Sequence, residues 1–436
     1  MDYRDYIVGL DKKVPLKNGK KVTSINFDNA ATTPPFKSVI NEIVNFAPWY
    51  ASINRSYGYK SELSTKLYND SRKTVLDFVN ADSSFYTVIY VKNTTEAINK
   101  LAYTLYNSKS PGSMILSSEM EHHSNDLPWR NKFPMDYIKI DRWGRLLLED
   151  LEYKLKKYDG KVRLVAITGA SNVTGYINPI YEAAMLAHKY GAEILVDGAQ
   201  LVPHCRIKLG RESDSNHIDY LAFSAHKMYA PFGTGVLIGP KKTFEYGAPS
   251  YSGGGTIKIV TKNCVVWEDP PLREEAGSPN VMGALALDTS IKTIKSIGMD
   301  NIEKYENRLT EYALKRLDEI QGITIYCNKN ENTRSRVCIV PFNIDGIFHE
   351  TVAEALSGEG GISVRSGCFC AHPYVQELLN LPKDELDYYV KNPDESRPGM
   401  IRISFGLYNT FSEIDKFMRV LKKIVKSKKY YIKKYS

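Results

Sequence analysis

Lys227 stands in the stretch YLAFSAHKMYAPFGTGVLIG, directly after one apolar run and shortly before a second, glycine-flanked one. A charged lysine at the end of a buried strand is costly to desolvate, so either its pKa falls or its amine is put to use. A neutral amine condenses with an aldehyde to a Schiff base, whereas a surface position is the plain alternative for any single lysine. Asp197, about thirty residues earlier in EILVDGAQ, ends another apolar run and precedes glycine. Alone it reads as a helix N-cap. Paired with Lys227, it is placed to hold the protonated ring nitrogen of pyridoxal phosphate and so keep that ring an electron sink.

A phosphate needs donors at a helix N-terminus, and NTTEAINKLAY offers Thr94 and Thr95 ahead of an amphipathic pattern. The same threonines also fit a capping box, and the two readings weigh equally. Ser224 and His226, beside the lysine, add donors. His122 or His123 in EMEHHSN follows another apolar run, where an imidazole can stack on a planar ring or move protons.

SVRSGCFCAHP sets Cys368 and Cys370 one residue apart, between Arg365 and His372. Three readings compete: a metal site, a redox pair, or one nucleophilic thiol. Structural zinc usually takes two ligand pairs, and no CxxC partner exists, so no metal site is expected. A cofactor-free metal-binding or scaffold protein built on Cys368, Cys370 and His372 is the rival from another functional class. Cysteines at this spacing close only a small, strained disulfide ring, which weakens the redox reading.

The elements that must position these groups follow from short apolar runs, each trailed by a polar turn and helix-like sequence: TVIYVKNTTEAINK, SMILSSEMEHHSN, VRLVAITGASNVTG, AEILVDGAQ and IDYLAFSAHK. This alternation predicts an α/β fold with a mainly parallel sheet, whose ligands gather beyond the carboxyl ends of the strands. From about residue 290 the texture changes to a long helical pattern followed by GITIYC, SRVCIVPFNI and GMIRISFGLYN, a smaller α+β domain. The expected division is an N-terminal arm (1–25), a large domain (26–290) and a small domain (291–436) carrying the Cys370 loop. The 436 residues, 43% hydrophobic and 25% charged, suit a globular protein of two or three domains.

The net charge of +8 resides in the end of the chain: KKIVKSKKYYIKKYS, from Lys422, holds seven lysines and no acid, leaving about +1 elsewhere. It predicts a solvated helix end, with neither nucleic acid nor membrane as partner. The N-terminal stretch lacks the apolar core of a signal peptide, and the six cysteines are too scattered for a disulfide framework. A cytoplasmic location with reduced thiols is the expectation.

With these pieces assembled, the chain resembles the class V aminotransferase family of fold-type I pyridoxal-phosphate enzymes, and within it the group II cysteine desulfurases and selenocysteine lyases. The resemblance runs from NFDNAATTPPFKSVINEIVNF through TTEAINKLAY, MEHHSNDLPWR, SNVTGYINPI, VDGAQLVPH, FSAHKMYAPFGTGVL, GGGTI and EAGSPN to VRSGCFCA and RISFGLYNT. It implies a large domain with a mainly parallel seven-stranded sheet plus a smaller α+β domain. It implies Lys227 bonded to the cofactor aldehyde, Asp197 at the ring nitrogen, and His122 stacked on the ring and shuttling protons. Thr94, Thr95, Ser224 and His226 would hold the phosphate, with Gln200 near the phenolic oxygen. Asn172, Arg402, Arg365 and Arg55 would hold the substrate, Arg402 by a bidentate bond to its carboxylate. The resemblance further implies a homodimer, in which Ser278 of AGSPN reaches the partner's phosphate.

Cys370 matches the family's persulfide-forming cysteine, so the implied reaction turns L-cysteine into L-alanine and leaves sulfur on Cys370, for a sulfur-acceptor protein to collect. Arg365 or a charged His372 would lower the thiol's pKa. The chain departs from the family pattern in three places. Cys368 and Phe369 stand where relatives commonly show histidines, Cys368 being expected to pack as a small apolar residue. The segment from Cys370 to Arg402 is long, a candidate lid or docking surface. Asn54 replaces a common histidine, beside a matching Arg55. Selenocysteine lyase, carbon-sulfur lyase or epimerase of the same superfamily are the alternatives that keep the cofactor.

Overall fold

The apolar runs become strands because residues buried on both faces leave no polar side to alternate with. They are β1 (Tyr86–Val91), β2 (Met114–Ser118), β3 (Met135–Ile138), β4 (Val162–Thr168), β5 (Glu193–Asp197), β6 (Tyr220–Ser224) and β7 (Gly235–Pro240). The structure, a computed structural model, describes residues 2–54, 57–108, 113–328 and 332–435. The seven strands form one sheet in the order β1-β7-β6-β5-β4-β2-β3. β7 runs antiparallel to both neighbours and every other pairing is parallel. The sheet therefore has the mainly parallel, seven-stranded form that the sequence led us to expect.

Alternate residues of each strand feed two cores. Leu164, Ala166, Leu195, Ala222 and Leu237 pack with Ile98, Leu101 and Leu105 of helix α1 (Thr94–Asn107). Val165, Ile167, Val196, Leu221 and Phe223 face the opposite layer, which includes Ala183, Ala184 and Ala187 of α2 (Ile180–Lys189).

The C-terminal region builds an antiparallel sheet from β8 (Ile323–Ile325), β9 (Ile339–Ile344), β10 (Arg365–Gly367) and β11 (Met400–Ser404), in the order β8-β9-β11-β10. Helices α3 (His372–Leu379) and α4 (Lys383–Lys391) occupy the long segment before β11. Helix α5 (Phe411–Lys426) follows it, closed at its start by the reciprocal cap of Thr410 and Glu413.

The chain at residues 25–28 packs against the C-terminal region through a separate two-stranded pairing. Ile25 and Asn26 pair in parallel with Ile362 and Ser363. Phe27 is fully buried edge-on against Phe405 at 5.1 Å and Phe417 at 5.8 Å. Truncating a ring in such a site costs about 3–5 kcal/mol, and this anchor fixes the position of the next residue, Asp28.

The lysine-rich end is helical, Lys428–Tyr435, with most of its lysines in solvent. Its aromatic face is not solvated: Tyr431 and Tyr435 are buried, and Lys17 lies 3.9 Å from the Tyr435 ring centroid. Among the described residues no helix is long and apolar enough to cross a membrane.

Candidate active site

Strand ends deliver the reactive side chains to one cavity of about 300 Å³. Asp197 is the last residue of β5, and Ser224 the last of β6, followed by the tight turn Ala225–Lys227. Thr94 opens α1 after β1, and His122 follows β2. Asn172 lies beyond β4, while β10 and β11 present Arg365 and Arg402 as directly paired residues. All of these line the cavity, together with Thr95, Gln200, His226, Phe369 and Cys370. Two expected residues are not among them. Ser278 is exposed and does not line this cavity, and Arg55 lies outside the described residues.

Burial lowers the Lys227 pKa to about 8, with Arg402 pulling the same way and Asp197 opposing. The Asp197 carboxyl, 3% exposed, is raised by its own burial and partly held down by Lys227, and its Oδ1 accepts the Ala199 N–H at 2.9 Å. His122 is pushed down to about 3 by burial and then by the Lys227 charge, so its ring is neutral at physiological pH. Its Nδ1 accepts the Ser124 N–H at 3.0 Å, which leaves the hydrogen on Nε2. Burial likewise lowers His226 to about 4.

At the opposite end of the cavity, the Thr94 N–H donates to Ser224 Oγ at 2.8 Å, and the two hydroxyls lie 2.7 Å apart. Thr95 Oγ1 meets Ser124 Oγ at 2.7 Å, and Asn93 caps the helix by accepting the Glu96 N–H. A helix N-terminus ringed by hydroxyls is an anion cradle. Gly235 keeps it tight: a Cβ there would meet the Asn93 backbone at 2.8 Å.

These groups fit pyridoxal phosphate. The cradle matches a phosphate, the buried Asp197 a ring nitrogen, and the depressed Lys227 amine an aldehyde. Gln200 gives its Nε2 hydrogen to the Ala30 carbonyl at 2.6 Å, while its Oε1 is buried without a partner on the cavity wall.

Asp28 was not singled out from the sequence, yet it holds two arginines of the cavity wall. One carboxylate oxygen takes Arg402 Nη2 and the other Arg365 Nη2, each at 3.0 Å. Arg402 is 3% exposed, gives Nη1 to the Asn172 carbonyl at 2.8 Å, and keeps a buried Nε without a partner. Burial draws its pKa down to about 10, so it remains a cation at neutral pH. The only signal for Asp28 was its place in NFDNAATTPP.

Phe369 and Cys370 both adopt positive φ, 52° and 55°. Consecutive non-glycine residues in this region cost about 1–2 kcal/mol each, so their surroundings must hold them. The Asn172 amide donates to the Phe369 carbonyl at 2.8 Å, and the His123 N–H donates to the Cys370 carbonyl at 2.7 Å. The Arg402 guanidinium lies 5.0 Å from the Phe369 ring centroid. Cys370 is exposed on the cavity wall beside Arg365.

The sequence offered a charged His372 as a second cation for that thiol, and the structure corrects this. The His372 ring packs edge-on against His123 at 4.8 Å, lines a different cavity, and has its pKa lowered by burial. Cys368 lines that other cavity too. The metal-binding rival finds no support: Cys370 lines the Lys227 cavity, Cys368 and His372 line the other, and among the described residues the three form no ligand cluster.

The model of the family described as aminotransferase class-V matches residues 25–417. A probable cysteine desulfurase of Pyrococcus abyssi is 36% identical over 92% of this chain and 94% of its own. One from Halalkalibacterium halodurans is 34% identical over 95% of each. Among solved structures, the apo cysteine desulfurase of Thermococcus onnurineus superposes with a TM-score of 0.82 at 32% identity, covering 92% of this chain and 95% of that one.

Proposed function

The chain belongs to the class-V aminotransferase family, and we propose that it is a cysteine desulfurase that releases L-alanine from L-cysteine and takes the sulfur onto Cys370. The observation that carries this reading is the meeting of Lys227, Arg402 and Cys370 in one cavity. Lys227 and Asp197 would hold pyridoxal phosphate, the phosphate resting on Thr94, Thr95, Ser224 and His226 and the ring against His122. Bound there, the cofactor supplies a sink for the charge left when the substrate loses its α-proton.

The remaining work falls to side chains. Arg402, aimed by Asp28 and the Asn172 carbonyl, takes the substrate carboxylate, and Arg365 closes the same end. Lys227, once its amine is free and neutral, accepts the α-proton. The Cys370 thiolate attacks the substrate sulfur: an S–S bond forms, the Cβ–S bond breaks, and the electron pair stays with the carbon fragment, which takes up one proton at Cβ and, from Lys227, one at Cα before leaving as alanine. His122, with hydrogen on Nε2, can hand on the first of these.

A homodimer is part of the proposal. The exposed loop bearing Ser278 would reach the partner's phosphate, and the nearby hairpin exposes Ile259, Val260, Val265 and Val266 together, an apolar patch that a second copy would cover.

Purified protein incubated with L-cysteine, wild type beside Cys370→Ala, tests the reading by alanine release and protein-bound persulfide. Both products are expected from wild type alone. Alanine formed at the wild-type rate by Cys370→Ala would replace sulfur transfer with direct β-elimination.

A further inference from the structure

A second group of titratable side chains lies at the opposite end of β6 from Lys227, roughly 15–20 Å away at the rise of a strand. His188, in the last turn of α2, stacks on His217 with ring centroids 4.2 Å apart and planes inclined by 24°. Each ring sets Nδ1 against a backbone carbonyl, His188 at 2.8 Å from Ser215 O and His217 at 2.7 Å from Asp214 O. A carbonyl oxygen only accepts, so both Nδ1 atoms carry their hydrogens.

The two Nε2 atoms converge on one carboxylate, 2.9 Å from Asp219 Oδ2 and 3.2 Å from Asp219 Oδ1. Direct hydrogen bonds would need hydrogens on both Nε2 atoms as well, which stacks two imidazolium rings face to face, and like charges so close oppose one another. A cation between the three atoms removes the conflict. Each ring then offers a neutral Nε2, and the carboxylate one oxygen, to the same ion. The three ligand atoms lie within 4.8 Å of one another.

We propose that His188, His217 and Asp219 form a structural Zn²⁺ site. Ligands about 2.0–2.1 Å from a tetrahedral zinc stand about 3.3 Å apart, so the observed contacts need to open by only a few tenths of an ångström. Ring Nδ1 hydrogens donated to carbonyls are the usual outer support of zinc-bound histidines. Asp219 is braced in the same way, Oδ2 accepting the Ile194 N–H at 2.9 Å. The C-terminus of α2 favours positive charge. The ligand side chains retain 19%, 10% and 8% exposure, which gives water access to the fourth position. The ion would tie α2, the 211–217 loop and the start of β6 together.

The test uses the holoenzyme, stripped with EDTA, reloaded with ZnCl₂, and assayed for metal per chain and for Tm. One zinc per chain is expected in wild type and in Cys370→Ala, raising Tm by roughly 3 °C or more. His217→Gln should lose both the zinc and the shift, and His188→Gln, at a part-exposed ring, repeats the test should the first fold poorly. Co²⁺ in place of zinc should show no thiolate charge-transfer band. Wild type without stoichiometric zinc, zinc retained in both histidine variants, or zinc lost in Cys370→Ala would overturn the proposal.

Discussion

Two cavities of nearly equal size, about 300 and about 330 Å³, flank the short loop that carries Cys368 and Cys370, and they treat the two thiols in opposite ways. The Lys227 cavity is polar: Arg365, Arg402, Asp197 and the hydroxyl-ringed helix start face Cys370. The second is lined by Leu381, Leu386, Val390, Pro393 and Pro398 from the segment holding α3 and α4, together with Gln376, Arg397 and His372. Burial raises the Cys368 pKa there, and its thiol points at the Pro398 carbonyl 3.5 Å away. The surroundings thus distinguish two thiols that sequence spacing makes look equivalent. The backbone turn through Phe369 and Cys370 separates them.

The strongest way to break this contrast is to empty the first cavity of its amine. Lys227→Ala should lower alanine formation on the order of 10³-fold or more and abolish the visible absorbance of the protein; retained absorbance with retained rate would remove Lys227 from its role. Cys370→Ala should cost at least about 100-fold and leave no protein-bound sulfur, read by persulfide labelling. Arg402→Lys, which loses the bidentate grip, should raise KM for L-cysteine about 10–100-fold with a smaller change in kcat.

The pH profile sharpens the same contrast. On the proposed reading the free amine of Lys227 accepts the proton, and burial lowers its pKa to about 8. Below that value the protonated fraction grows, so kcat should rise with pH through about 8 and fall about tenfold per unit on the acid side. A profile flat from pH 6 to 9 would contradict it. The smallest effect is expected from Cys368→Ala, within about threefold of wild-type turnover. A loss as large as that of Cys370→Ala would make the second cavity part of the chemistry.

Much of the first cavity was legible because each of its residues follows an apolar run, and runs buried on both faces announce parallel strands whose ends hold ligands. Lys227, Asp197, Ser224 and His122 were all found in this way. Asp28 escaped because nothing local distinguishes it; its partners are Arg365 and Arg402, more than three hundred residues later in the chain. The divergence of the two thiols was illegible for a different reason. Neither Phe369 nor Cys370 is a residue type that signals positive φ, and tertiary bonds from Asn172 and His123 impose it. The tail was read correctly as a helix end bearing solvated lysines. Its tyrosine face was missed, because burying it required a surface distant in sequence, with Lys17 over the Tyr435 ring and Glu359 accepting its hydroxyl.

The hydrogen bond from the His123 N–H to the Cys370 carbonyl couples two loops. It fastens the loop after β2 to the loop after β10, so that Cys370 itself and His122, one residue before the donor, share a tether. Lengthening either loop by a single residue would drag the other's reactive group with it. The α3–α4 excursion begins just beyond the tether, at His372, so its length leaves the spacing between His122 and Cys370 to that one bond.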